Sequence, residues 1–326
     1  MKLANNNKLK IIMLIEILEK ETDENHGISM NDIITKLAAH GVSAERKSIY
    51  TDIAFLQDIG YDIVLKKGNR PRYFLASRYF ELPELKLLVD AVHSSRFITK
   101  THSENLIRKL MKFTSKYQRN QLNRQVVLTD VPKSFNKSIL YSIDTIHYAI
   151  NEKKKISFRY YHWNASKERV FRKKDDDLYV LSPLALCWNN DKYYLICYNQ
   201  KYDNMNSYRV DRMEKVNKLD EPWDEKAHIQ EVDTHVKSLF GMYDGQKMKA
   251  ILEFDKELVN AVTDEYGFDI AINDKGETFS INVLVSESKV FLSWMIQFGD
   301  KARIVAPVSL RDSMKELLKE TLQQYD

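Results

Sequence analysis

Glycine is scarce in this chain, with nine residues in 326. Loops that cradle phosphates need several glycines in a short span so that backbone amides can close on the anion. No such loop is present, and neither is a His-Glu-x-x-His or Gly-x-Ser-x-Gly pattern. There are two cysteines, Cys187 and Cys197. Their spacing is neither a redox pair nor a zinc pattern, so they read as small buried hydrophobes. Asp175-Asp176-Asp177 is a carboxylate cluster, but it falls in an expected turn and reads as a solvated loop. These absences predict a protein that is not an enzyme, with no catalytic residues, no cofactor and no metal. Long apolar runs are missing too. LKIIMLIEIL is interrupted by Glu16 and too short to span a bilayer, so no membrane partner and a cytoplasmic location are expected.

What is present is length and uneven charge. At 326 residues, two or three domains are expected. The formal charge is only +4. Residues 100–174 nevertheless carry 18 Lys/Arg against 5 Asp/Glu, a local net of +13, whereas residues 220–326 carry 12 against 21, a local net of −9. Such asymmetry suggests separate modules, the middle one able to attract a polyanion.

The first module is helical. Leu9, Ile12, Met13, Leu14 and Ile17 recur at helical spacing. Ser29 is a candidate N-cap for MNDIITKLAAH, with Asp32 favouring the helix start and Gly41 ending it. Ser43 is the candidate cap of a third helix, whose stripe is Ile49, Ile53 and Leu56 and whose stop is Gly60. Two helices joined by a short Gly-containing turn form a helix-turn-helix signature. The third helix presents Arg46, Lys47, Ser48, Tyr50 and Thr51 in its first turns, where such proteins contact base edges and phosphates. A basic hairpin follows, KKGNRPR, with Lys66, Lys67, Arg70 and Arg72 as candidate phosphate contacts. The run Arg46, Ser48, Ile49, Asp52, Ile53 resembles the winged helix of DeoR-type bacterial regulators; Asp52 reads as structural rather than as a base reader.

After the hairpin, Leu82, Leu85, Leu88, Val89 and Val92 predict one amphipathic helix. SENLIRKLMKFTSKYQ predicts a second, with Ser103 as candidate cap. Such a pair is well placed to join two chains and space two recognition helices. Asp130-Val131-Pro132-Lys133 reads as a boundary.

LYSIDTIHYAINEKKK predicts a further helix whose lysine run suits its C-terminal dipole. Short, aromatic-rich strands follow: ISFRYY, DLYVLSPLALCWNN, DKYYLICYN and SYRVDRMEKV. Asn189-Asn190-Asp191 marks a hairpin. Sequential short strands predict a small, strongly bent sheet or barrel. Arginine suits phosphate, and the stretch from Phe158 to Asn164 interleaves aromatic faces, on which bases stack, with Arg159 and His162. Strand alternation places Arg209 and Asp211 on one face and Arg212 on the other. Either arginine could pair with Asp211 or meet a ligand.

Tyr193-Tyr194-Leu195 followed by Tyr208-Arg209-Val210-Asp211-Arg212-Met213 resembles the WYL family, named for its Trp-Tyr-Leu triplet. Here Tyr193 stands for the Trp, and Asn206 stands where many members carry a further Arg. The resemblance covers nearly the whole chain, through VFLSWMIQFGDKARIVAPVSLRDSMKELL, which is similar to the C-terminal extension of WYL regulators. It implies an Sm-like β-barrel sensing a nucleic-acid or nucleotide effector, single-stranded DNA included. The candidate effector contacts are Arg159, Tyr160, His162, Ser182, Tyr194, Tyr208, Arg209 and Arg212. Arg303 and Arg311 are candidates to reach a neighbouring chain's ligand.

The C-terminal segment alternates strand and helix three times. The expected fold is thus α+β and multidomain. Its parts are a winged helix-turn-helix (1–78), a helical linker (79–132), a WYL-like barrel (138–220) and a C-terminal α+β extension for dimerisation or regulation (221–326). The expected function is that of a bacterial, homodimeric transcriptional regulator binding a double-stranded operator. The alternative is a nucleic-acid-binding accessory that modulates a partner enzyme.

Overall fold

A computed structural model of the chain describes residues 6–122, 132–174, 177–227, 232, 236 and 246–325. The expected boundary at Asp130-Val131 and the Asp175-Asp176 pair lie outside the described residues. The chain divides into two compact units, Met1–Phe135 and Asn136–Asp326.

The first unit opens with α1 (Asn6–Glu21), α2 (Met30–Ala39) and α3 (Arg46–Asp58). At the start of α2, Ser29 and Asp32 bond reciprocally: the Ser29 hydroxyl accepts from the Asp32 amide, and the Asp32 carboxylate accepts from the Ser29 amide. Two orphan amides are thereby satisfied. Both α2 and α3 end on a glycine. Gly41 (φ +76°) donates to Ala38 O at 2.9 Å and Val42 to Leu37 O at 2.9 Å. Gly60 (φ +102°) and Tyr61 repeat the arrangement on Gln57 and Leu56. This left-handed termination is open to glycine at no steric cost. Ser43 does not cap α3; the capping position is Glu45, which makes no side-chain bond to the helix. Strands β1 (Ile63–Lys66) and β2 (Arg72–Leu75) form an antiparallel ribbon in which Lys66 faces Arg72.

Leu14, Leu18, Ile33, Leu37, Ile49 and Leu56 meet in one core from all three helices. Ile28 bonds Tyr73 in both directions at 2.8 Å, tying the α1–α2 loop to the ribbon. Gly27 is required there, since a Cβ on it would stand 2.7 Å from the Arg72 Cβ.

Three further helices follow: α4 (Leu82–Ser94), α5 (Lys100–Leu110) and α6 (Lys116–Leu122). The single helix expected from Ser103 through Gln118 is two. A 3₁₀ turn at Met111–Phe113 ends α5, and Ser115 accepts the Gln118 amide to start α6. Thr99, not Ser103, caps α5; Ser103 is buried and its hydroxyl donates to Val92 O. Lys133 Nζ donates to the carbonyls of Val92, His93 and Ser95 at 3.1, 2.6 and 2.7 Å, satisfying the C-terminus of α4.

The second unit begins with α7 (Ile139–Asn151). The lysine run does not end this helix as expected. Glu152 is its C-cap, Lys153 takes a positive φ of 51°, and Lys154 and Lys155 open a strand. That strand, β3 (Lys154–Trp163), joins β4 (Arg169–Phe171), β5 (Tyr179–Asn189), β6 (Lys192–Asn199), β7 (Asn204–Arg209) and β8 (Met213–Pro222). All pairings are antiparallel, in the order β4-β3-β5-β6-β7, with β8 on β3. Asn190 and Asp191, at φ 45° and 57°, make the tight β5–β6 turn; both central residues have the positive φ that a twisted two-residue hairpin requires.

This sheet is curled. Strand β7 is its last member, yet only Val210–Arg212 separate it from β8, which pairs β3. In a flat sheet the two strands would stand about 19 Å apart, four spacings of about 4.8 Å. The connecting chain reaches at most about 14 Å when fully extended, and here it is wound into a 3₁₀ turn. Register shifts in β3–β8 and at Pro183/Ala185 in β5–β6 supply the bending.

The C-terminal segment holds β9 (Lys247–Asp255), α8 (Val259–Tyr266), β10 (Ile272–Asp274), β11 (Thr278–Ser286), α9 (Lys289–Ile296), β12 (Ala302–Ala306) and α10 (Val308–Leu322). Its antiparallel sheet runs β10-β11-β9-β12. The short β10 is additional to the three expected strands: its residues are all exposed, so it carries no apolar pattern to read. Phe254, Phe279, Phe291 and Leu310 fill the core between sheet and helices.

Candidate functional site

In the first unit, the orientation of α3 is set from within. Lys10 on α1 is almost wholly enclosed, its side chain 7% exposed, and it pairs with Asp52 on α3 at 2.8 Å. Its ammonium also bonds the Ser48 hydroxyl. A buried cation must be paired and hydrogen-bonded, and Ser48 and Asp52, four apart on α3, provide both. Ser48 is therefore committed to Lys10, which corrects its expected place among residues presented outward. Asp52 is structural, as its position suggests.

With Ser48 and Asp52 turned inward, Arg46, Lys47, Tyr50 and Thr51 stand on the exposed side. Arg46 Nε donates to the Tyr50 hydroxyl at 3.2 Å, which aligns the two side chains along the helix. Thr51 donates back to Lys47 O. Ser43 is exposed in the α2–α3 turn. On the ribbon, Lys66, Lys67 and Arg70 are exposed, with no carboxylate between residues 64 and 78. Arg72 is exposed but anchored, since Nη1 donates to Gly27 O at 3.1 Å.

In the second unit, the expected aromatic platform is turned inward. Phe158 (0% exposed), Tyr160 (6%) and Tyr208 (8%) are core residues. With Tyr179, which stacks on Phe158 at 5.3 Å, they form a cluster whose other contacts are edge-to-face, Tyr160–Tyr208 at 5.1 Å and Phe158–Tyr208 at 5.4 Å between ring centres. Burial there pushes the Tyr208 hydroxyl far above the usual phenol range. The Tyr160 hydroxyl accepts from the Arg209 amide at 3.2 Å, so it pins the end of β7. The curled sheet has to fill its own interior with large side chains, and these rings do so.

Other side chains expected to meet an effector are committed in the same way. Ser182 is fully enclosed; its hydroxyl donates to Asp224 at 2.9 Å and accepts the Asp224 amide. Asp224 in turn pairs with Lys155 at 2.7 Å. This three-residue lock joins β3, β5 and the segment after β8. Arg159 stacks on Phe171 at 3.6 Å. His162 is exposed on β3, and Tyr194 is half-buried, opposite Arg209 in the β6–β7 register.

The two arginines of YRVDRM do not alternate on a strand. Strand β7 stops at Arg209, and Val210–Arg212 form the 3₁₀ turn. Arg209 bonds Asp211 through both Nε and Nη2, at 3.0 and 2.7 Å. The Asp211 carbonyl accepts from the Tyr161 hydroxyl at 3.0 Å, and Asn136 donates to Met213 O at 3.1 Å. Arg212 has no carboxylate partner among the described residues, and its Nε is buried without a hydrogen bond. Beside the turn, Arg169 pairs with Glu214 and lies over Tyr161 and Trp163, 5.0 and 5.6 Å from their ring centres. Arg172 lies over Tyr160 and Lys173 over Tyr179, at 5.3 and 4.5 Å.

Arg169, Arg172 and Lys173, each over an aromatic ring, are cations of this unit that are not among the expected effector contacts. The signal that could have found them was the basic run itself, whose cations fall on β4 and the loop after it. In the C-terminal segment, Arg303 is paired with Glu253 through Nε at 2.7 Å.

Comparison with known proteins divides the second unit in two. The family profile for the WYL domain matches residues 142–218, from α7 into β8. That for the WCX domain matches residues 246–322, from β9 to the end of α10. Among solved structures, proteasome accessory factor B/C (PafBC) of Arthrobacter aurescens is similar at 16% identity and a TM-score of 0.29, over 98% of this chain and 49% of that one. A CRISPR Cas-related protein is similar at 13% identity and a TM-score of 0.38, over 97% of this chain and 85% of that one. This chain thus spans about half the length of PafBC. No curated protein matches it. Among the described residues no helix is long and apolar enough to cross a membrane. With a curled antiparallel sheet over residues 142–218 and a second α+β segment over 246–322, the chain is a multidomain α+β protein in which the first of these regions is similar to the WYL domain and the second to the WCX domain.

Proposed function

We propose that the chain is a DNA-binding transcriptional regulator without enzymatic activity. In this reading α1–α3 and the β1–β2 ribbon form a winged helix-turn-helix. Arg46, Lys47, Tyr50 and Thr51 meet the operator from α3, and Lys66, Lys67 and Arg70 meet its phosphates from the ribbon. The observation that carries the reading is the outward set of cations on α3 and the ribbon, Arg46, Lys47, Lys66, Lys67 and Arg70. Phosphate contacts position such a protein and base-edge contacts specify the sequence.

The WYL domain is proposed to sense a single-stranded nucleic acid or a nucleotide. Arg212 is the favoured contact, because Arg209 is already neutralised by Asp211. Arg169, Arg172 and Lys173, with the exposed His162 and Trp163, supply cations and an exposed ring of the kind such a ligand uses. The working unit is a homodimer reading a partly symmetric site, and effector and operator affect each other's affinity reciprocally.

Footprinting the purified chain on the DNA upstream of its own gene tests this. A protected site of partly palindromic sequence, released or strengthened by a single-stranded oligonucleotide, is expected. Uniform binding with no protected site would instead favour an accessory protein acting on a partner enzyme.

A further inference from the structure

The WCX segment contains a cleft that neither candidate surface uses. Helix α10 presents Arg311, Met314, Lys315 and Leu318 along one face, at spacings of three, four and seven. Met295 at the end of α9 and Ile304 on β12 stand opposite, and together these walls enclose about 380 Å³. That falls within the range of about 300–1,000 Å³ typical of small-molecule sites.

The chemistry of the lining is specific. Its walls are aliphatic and thioether side chains, with no aromatic ring and no carboxylate among them. This is unexpected from local composition, since residues 220–326 carry 21 acidic against 12 basic side chains. Three of those twelve cations, Arg303, Arg311 and Lys315, line this one cleft. Arg303 is held by Glu253, and Lys315 reaches Asp312 at 3.2 Å in solvent. Arg311 has no carboxylate partner among the described residues. On the rim, Leu318 is 47% exposed, which leaves apolar surface facing water beside a cation.

A polynucleotide would gain little in such a site, with no ring on which to stack a base. An apolar body ending in one anion satisfies both walls: its hydrocarbon displaces water from the exposed Leu318 and the half-buried Met314 and packs towards the buried Met295 and Ile304, and its head meets Arg311 and Lys315. We propose that this cleft binds a small amphipathic monocarboxylate, of the size of a medium-chain acyl or arylalkyl acid.

Titration calorimetry of octanoate into the full chain tests this, with octan-1-ol as the neutral probe of equal length. Octanoate is expected to bind at one site per chain, at least tenfold more tightly than octan-1-ol. The double variant R311Q/K315Q should lose that preference, leaving octan-1-ol unchanged. Met314→Trp should block both probes by filling the cleft. If its ligand-free melting temperature falls, Leu318→Trp on the exposed rim takes its place. Equal affinity for the two probes, or octanoate binding unaltered in R311Q/K315Q, would overturn the proposal. So would a change of oligomeric mass on R311Q/K315Q without ligand, which would make the cleft an interface between copies.

Discussion

Arg209 and Asp211 hold each other through two parallel hydrogen bonds across a single residue, at 3.0 and 2.7 Å. The pair closes the turn by which β7 becomes β8, and hence the turn by which the sheet returns to β3. A forked guanidinium–carboxylate pair combines charge with geometry, and this one fixes chain direction.

Removing the carboxylate should therefore loosen the WYL sheet. Asp211→Ala leaves Arg209 half-buried without its counter-charge, and a loss of about 2–3 kcal/mol is expected from the urea midpoint. Arg212→Ala breaks no ion pair and should stay within about 0.5 kcal/mol of the parent. It should, however, blunt the response of operator binding to a single-stranded oligonucleotide. Equal destabilisation by both changes would make Arg212 structural.

On α3, exposure separates binding from folding. Arg46→Ala and Lys47→Ala should weaken operator binding while leaving the melting temperature in place. Each lost phosphate contact should lower the slope of log K against log salt by about one. Fluorescence anisotropy at several salt concentrations reads this. Ser48→Ala should behave in the opposite way, losing stability by removing an acceptor from buried Lys10 while keeping the salt slope.

The Lys10–Asp52 pair gives a sharper energetic test. Lys10→Met strands Asp52 near the core, and breaking a buried pair in this way costs about 3–5 kcal/mol. The double change Lys10→Met with Asp52→Leu removes both charges and should recover most of that loss. A double-mutant cycle in urea measures the coupling. Additive losses would show that the pair is not coupled.

In the WCX segment, Glu253 is held below its ordinary value near 4.5, first by its hydrogen bond from Lys275 at 2.6 Å and then by Arg303, against the opposing effect of burial. A depressed carboxylate contributes stability that is fully present above its unfolded value and is lost as pH falls through the folded one. The melting temperature should thus fall as pH drops below about 4.5, and more steeply than in Glu253→Gln. Parallel pH profiles for the two proteins would remove Glu253 from the account.

Much of the scaffold was legible because its causes are local. The Ser29–Asp32 start of α2, the glycine stops at Gly41 and Gly60, and the Asn190–Asp191 turn are each set within about six residues. The break between α5 and α6 was less visible: Thr114 and Ser115 read as polar positions of a continuing helix, and the Ser115 hydroxyl is drawn to Asp23, 92 residues away. The helix expected to end in lysines stops at Asn151 for a related reason. Helical spacing continues past Asn151, but Lys155 is claimed by Asp224 across the unit.

The sequence by itself determined the helices, the ribbon, the short aromatic strands and the positions of the cations, because periodicity, caps and glycine act over a few residues. Tertiary structure alone decided which polar groups are spent. Lys10 takes Ser48 and Asp52 from across the first core, Asp224 takes Ser182, and the curl of the sheet turns Tyr160 and Tyr208 inward while winding Arg209 onto Asp211. Those partners are brought together by burial, and a buried charge or hydroxyl must be paired with whatever the fold sets beside it.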